Sequence, residues 1–162
     1  MTLTIRAPRI EELPGLSDIC LRSKAVWGYS AEFLAACRGE LSFDPSDLRL
    51  TPIAVAEQDE KLLGVAQVKF VQGEADLAKL FVQPGCLRSG VGRALLHWAM
   101  EVATEQGAVR LTIDSDPGAA DFYRRMGARD AGQSPSGSIP GRMLPRLVID
   151  LGVRLTSCTD CR

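Results

Sequence analysis

The stretch VQPGCLRSGVGRALLHWAM, residues 82–100, decides how this chain is read. A β-like run ends in a glycine-bearing bend and passes directly into a helical pattern with Val91, Ala94, Leu95, Trp98, Ala99 and Val102 on one face. Gly90 and Gly92 permit a tight turn and a close approach between backbone and ligand, and the first N–H groups of the helix have no partner within it. The helix dipole adds partial positive charge, so the bend suits a phosphate or diphosphate. Arg88 and Arg93 bracket it as charged donors, and Leu87, Ser89 and Val91 complete the loop. Two better-known phosphate loops are ruled out. No Gly-Lys-Ser/Thr follows the bend, as a P-loop requires, and Leu95 stands where a dinucleotide fingerprint needs its third glycine.

With 162 residues and 46% hydrophobic content, the chain has enough apolar material for one core, expected as a single domain over residues 1–152 with a tail at 153–162. A net charge of −1 argues against a nucleic-acid or membrane-surface binder. The first residues, MTLTIRAPRIEEL, show no basic region followed by an apolar one, and no apolar run approaches the length of a membrane span, so a soluble cytoplasmic protein is expected. The five cysteines read as reduced thiols. Cys158 and Cys161 form one CxxC without a second ligand pair, and no metal is called for. The single histidine, His97, falls beside Arg93 and Thr104, away from the apolar face, and reads as a solvated residue.

Outward from the bend, residues 3–6 read as a first strand and 10–24 as a helical region complicated by Pro14 and Gly15. Ser30 caps a second helix ending near Gly39, and residues 44–47 read as a loop. Residues 53–57 and 62–71 form a hairpin about QDEK, followed by a strand over about 76–82. After the helix at 91–106, closed by Gly107, come a strand at 109–114, a short helix at 119–126, the loop QSPSGSIPGR and a last strand at 144–151. An antiparallel meander followed by a βαβ crossover makes the fold class α/β, a central mixed sheet with helices on its faces.

A second signature, SDPGAADFYRRMGA, occupies residues 115–128. The two together resemble the GNAT (GCN5-related) N-acetyltransferases, whose diphosphate loop is Gln/Arg-x-x-Gly-x-Gly/Ala and whose later helix carries Ala-x-x-Phe-Tyr before Gly-Ala or Gly-Phe. Gly90 and Gly92 match the loop; Ala119, Phe122, Tyr123, Gly127 and Ala128 match the helix in order and spacing. Leu87 departs from the Gln/Arg position, with Arg88 one place later, and Gly118 stands where the family often has Asn.

The resemblance implies the GNAT acyl-CoA N-acyltransferase fold, with acetyl-CoA as co-substrate held by residues 87–93 and by Phe122. It also implies that Tyr123 protonates the leaving thiolate; a phenol with a pKa of about 10 is protonated at neutral pH and able to do so. The strand DLAKLFV resembles the family's Glu-Leu-x-x-Leu-aromatic-Val, which implies that backbone groups of Leu80, Phe81 and Val82 align the pantetheine arm and that an N–H near Leu80 polarises the thioester carbonyl. Asp76, at its head, is the candidate base, directly or through water, with Glu74 as the fallback.

The acceptor, a small-molecule or peptide amine, is expected against the N-terminal helices. Trp27 and Tyr29 would flank it, with Ser23, Lys24, Ser138 and Arg142 as polar contacts; Lys24 and Arg142 suit a carboxylate-bearing acceptor. A non-catalytic acyl-CoA sensor and a protein-interaction domain are the competing classes. Acyl transfer through Cys86 is a further alternative to direct attack. A homodimer through the sheet edge or the C-terminal strand is compatible with the sequence.

Overall fold

The computed structural model describes residues 2–152; the tail at 153–162, with the CxxC of Cys158 and Cys161, lies outside the described residues. Seven strands form one mixed sheet: β1 (Thr4–Arg6), β2 (Ile53–Gln58), β3 (Lys61–Val71), β4 (Glu74–Val82), β5 (Arg110–Asp114), β6 (Arg129–Pro135) and β7 (Met143–Asp150), in the spatial order β1-β2-β3-β4-β5-β7-β6. Every neighbouring pair is antiparallel except β4 and β5. Helices α1 (Leu13–Ala25), α2 (Ala31–Cys37) and α3 (Pro45–Leu50) precede β2; α4 (Val91–Glu105) links β4 to β5, and α5 (Ala120–Arg125) follows β5.

Apolar side chains pack on both faces of the sheet. On one face, Leu96, Ala99 and Ala103 of α4 and Ala120 and Tyr123 of α5 pack on Val68, Leu77, Leu111, Ile113 and Leu147. On the other, Leu13, Leu16, Ile19 and Cys20 of α1, with Cys37, Leu41 and Phe43, pack on Ile53, Val55 and Val65. Local chemistry sets the boundaries. Ser30 Oγ accepts from Phe33 N at 3.1 Å to start α2. Gly107, at φ +85°, closes α4 by donating to the carbonyl of Thr104 at 3.0 Å. The β2–β3 turn takes Asp59 and Glu60 through positive φ, as a tight hairpin demands.

Two elements differ from the expectations. Residues 44–47 do not form a loop: Asp44 caps α3, accepting from the N–H groups of Ser46 and Asp47, while Asp47 Oδ2 accepts from Asp44 N at 2.9 Å. The first part of QSPSGSIPGR is not a loop either. Its residues 133–135 pair with β7 as the end of β6, an edge strand broken by a bulge between Asp130 and Gln133 with Gly132 at φ +95°. His97 is exposed, and Cys20, Cys37 and Cys86 are free thiols. Among the described residues, no helix is long and apolar enough to cross a membrane, and no three His, Cys, Asp or Glu side chains gather as a metal site.

Candidate active site

The parallel pair β4–β5 is joined at only two positions, Ala75 with Leu111 and Asp76 with Thr112. Beyond them the strands part, and the edge of β4 over residues 77–82 has no strand against it on that side. Backbone N–H and C=O groups on such an edge can pair with an extended ligand laid in the gap. Both connections leaving the C-terminal ends of these strands carry one of the two sequence signatures.

On the β4 side, a short turn at Pro84–Cys86 leads into residues 87–90, all exposed. Arg88 at φ +64° and Gly90 at φ +88° curl the loop, and α4 begins with no side-chain cap. The first N–H to turn back into the helix is that of Ala94, donating to Gly90 O at 3.0 Å, which leaves the N–H groups of Val91, Gly92 and Arg93 available to an anion. Gly90 has open space around it, and its left-handed conformation is the one that needs glycine. Gly92 serves packing instead: a Cβ there would stand 3.4 Å from Phe122 Cζ, so the loop and the Phe-Tyr helix are in contact.

On the β5 side, the Tyr123 ring is buried in the core and meets Phe122 edge-on at 5.1 Å. Its hydroxyl makes no hydrogen bond to any described residue, and among the described residues no side-chain polar atom is both sealed from solvent and unpaired, so this hydroxyl keeps some contact with solvent. Burial, and secondarily the charge of Asp116, push its pKa above the ordinary phenol value.

Asp76 occupies the apex of the gap. A bulge in β4, where Gln67 faces Lys79 but Val68 faces Leu77, reverses the alternation of side chains. Ala75 and Leu77 before it, and Leu80 and Val82 after it, therefore join the cores under α4, whereas Phe81 turns toward α1. Asp76, opposite Ala75 and Leu77, thus shares the α1 side of the sheet with Lys79. Burial, reinforced by Asp114 and opposed by Arg146, holds the Asp76 carboxyl above its usual range. Glu74 instead pairs with Arg110 at 3.8 Å, at the closed end of the strands. Lys79, unremarked in the sequence, is buried: its Nζ donates to Gln67 Oε1 at 3.0 Å and lies 4.6 Å from the centre of the Phe43 ring. Burial lowers its pKa.

Three of the residues expected to meet an acceptor, Lys24, Tyr29 and Arg142, converge on Asp116, which sequence reasoning missed. Asp116 Oδ2 accepts from Tyr29 Oη at 2.7 Å and lies 3.6 Å from Lys24 Nζ and 3.7 Å from Arg142 Nη2. Arg142 Nη2 donates to Tyr29 Oη at 2.6 Å, and Tyr29 stacks on Phe33 at 4.0 Å. Burial and Asp116 push the Tyr29 pKa up to about 12. Arg142 is held in place because Ser136 Oγ accepts from Ser138 N and Ile139 N, while Arg142 N donates back to Ile139 O at 3.2 Å. The Trp27 indole covers Gly118, where a Cβ would stand 2.7 Å from its Cε3. The Ser23 and Ser138 hydroxyls make no hydrogen bond to the described residues. The signal for Asp116 was its place before Pro117 at the head of a helix, where it caps the Pro117–Ala119 turn by accepting from Gly118 N at 3.0 Å.

Several solved structures share this overall fold. PaiA N-acetyltransferase from Thermoplasma acidophilum, solved with coenzyme A, is 20% identical over 93% of this chain and 99% of its own, with a TM-score of 0.73. A GCN5-related N-acetyltransferase from Rhodopseudomonas palustris is 20% identical over 93% and 96%, with a TM-score of 0.76. The ribosomal-protein-S18-alanine N-acetyltransferase from Escherichia coli is 21% identical over 96% and 98%, with a TM-score of 0.68. At these identities the likeness is one of fold. No curated protein matches the chain in sequence. The model of the acetyltransferase (GNAT) family matches residues 21–128, from within α1 through the Phe-Tyr helix and so across both lips of the gap. The chain belongs to the GNAT acetyltransferase family.

Proposed function

We propose that the protein transfers an acetyl group from acetyl-CoA to a primary amine by direct attack in the gap between β4 and β5. The observation that carries this reading is the parting of those strands after two residue pairs, between unclaimed helix N–H groups and the free Tyr123 hydroxyl. Acetyl-CoA supplies the activated acyl group. Within residues 87–93 the free N–H groups of Val91, Gly92 and Arg93 hold the diphosphate, aided by the Arg88 and Arg93 side chains, and Phe122 backs the loop. The open edge at Leu80, Phe81 and Val82 aligns the pantetheine, and an N–H near Leu80 polarises the carbonyl. Asp76 takes the proton from the acceptor ammonium through water, and Tyr123 gives its proton to the departing sulfur. The acceptor, a small molecule or peptide amine, enters beside Lys24, Trp27, Tyr29 and Arg142, and the reaction belongs in the cytoplasm.

The test is release of free CoA thiol by the purified protein. Release that depends on added amine supports the reading; tight acetyl-CoA binding without amine-dependent release makes the protein an acyl-CoA-binding module. Two expected outcomes refine it. Gly90→Ala forces a left-handed conformation on alanine, at a cost of about 1–2 kcal/mol, so the KM for acetyl-CoA rises about tenfold. Gly92→Ala meets Phe122 at ordinary contact distance and changes that KM less than about threefold. The pH profile has a defined sign as well. Tyr123 acts protonated, and burial with Asp116 raises its pKa above about 10, so kcat shows no falling limb up to about pH 10. A decline centred near pH 8–9 that Tyr123→Phe abolishes would contradict this assignment.

A further inference from the structure

We infer that the acceptor carries a carboxylate as well as its amine, and that Lys24 and Arg142 bind that carboxylate on the outer side of Asp116. The inference rests on the acetyl transfer proposed above and names its substrate class. Two cations share one carboxylate here, and that carboxylate is already engaged. Asp116 accepts from Tyr29 Oη through one oxygen and from Gly118 N through the other, and both cations stand farther off, at 3.6 and 3.7 Å. Lys24 Nζ makes no hydrogen bond to any described residue. Toward the described residues Arg142 uses only Nη2, and its Nε and Nη1 make no hydrogen bond among them.

Both side chains are nonetheless largely covered, at 14% and 18% exposed. They are held against the stacked Tyr29 and Phe33 rings, at 4.8 to 5.9 Å from the ring centres. Withdrawing two positive charges from water against one carboxylate is unfavourable unless a second anion completes the set. Their free donors are not sealed in the interior, so that anion has access. The location gives the arrangement its meaning: Asp116 follows β5 at the wide end of the gap, and its charge is felt by Tyr123. A carboxylate held by Lys24 and Arg142 therefore brings an amine on the same molecule to the side of the gap where Tyr123 lies.

The experiment compares kcat/KM for a set of L-amino acids with that for their primary amides at pH 8. The amides have the less basic amine and so present more of the reactive neutral form; amine chemistry alone favours them. The expected result is at least a tenfold preference for the acids, falling at least fivefold in Arg142→Gln and in Lys24→Gln. A merely structural role for these residues would lower both substrates alike and leave the ratio in place. Equal use of acids and amides by the wild type, or preference for the amides, overturns the inference and leaves the acetyltransferase activity standing. Transfer to neither set, with turnover of polyamines or peptide N-termini, also overturns it alone. No amine-dependent turnover with any of these overturns the proposed activity itself.

Discussion

Tyr123→Phe is expected to lower kcat for acetyl transfer by about 100-fold or more while changing the affinity for acetyl-CoA by less than about threefold. The size follows from the usual contribution of a positioned general acid. The separation of the two effects follows from the environment of the ring. Its burial and its edge contact with Phe122 are properties of the aromatic body, which phenylalanine retains. The hydroxyl has no hydrogen-bond partner among the described residues, so its removal leaves no orphaned group and should change the unfolding free energy by less than about 1 kcal/mol. Steady-state kinetics and calorimetric titration with acetyl-CoA make the check; an unchanged kcat would remove Tyr123 from the chemistry.

Gly118→Asn, a substitution toward the residue the family often carries, is expected to damage this protein. A Cβ at residue 118 would lie 2.7 Å from Trp27 Cε3 and 2.9 Å from Cζ3, so the indole has to leave the turn it covers. Overpacking of this kind costs about 1–3 kcal/mol of stability. The displaced ring also loosens the segment that carries Lys24 and Tyr29, and the acceptor KM should rise at least tenfold. Combining it with Trp27→Ala supplies the space, so the double variant should be less impaired than the two single effects added, by about 1–3 kcal/mol. Additive losses in denaturant melts would show that the indole and Gly118 are not a matched pair.

Trp27 and Gly118 mark the limit of what was legible in the sequence. The glycine bend and the helix after it could be read because their physics is local: a left-handed Gly90, a helix terminus and the amphipathic face of α4 all lie within a few turns of chain. Helix α3 was equally local. Asp44-Pro45-Ser46-Asp47 is a capping box with proline in the first turn, and its reading as a loop missed a signal that was present. The strand β6 had no such signal; it is a polar edge strand interrupted at Gly132, without the alternation that marks a half-buried strand. The bulge in β4 was invisible for another reason, since a pairing shift is a property of two strands. It nevertheless decides that Asp76 and Lys79, three residues apart, share one side of the sheet. Asp116 gathers partners from residues 24, 29 and 142, a contact set that only tertiary structure creates.

The most direct measurement is amide hydrogen exchange of the full chain with and without saturating acetyl-CoA. Slowed exchange concentrated at residues 80–82 and 87–93, on the open edge of β4 and the first turn of α4, is the predicted result. Unchanged exchange at both segments, with protection elsewhere or nowhere, would contradict the placement of the donor in the gap.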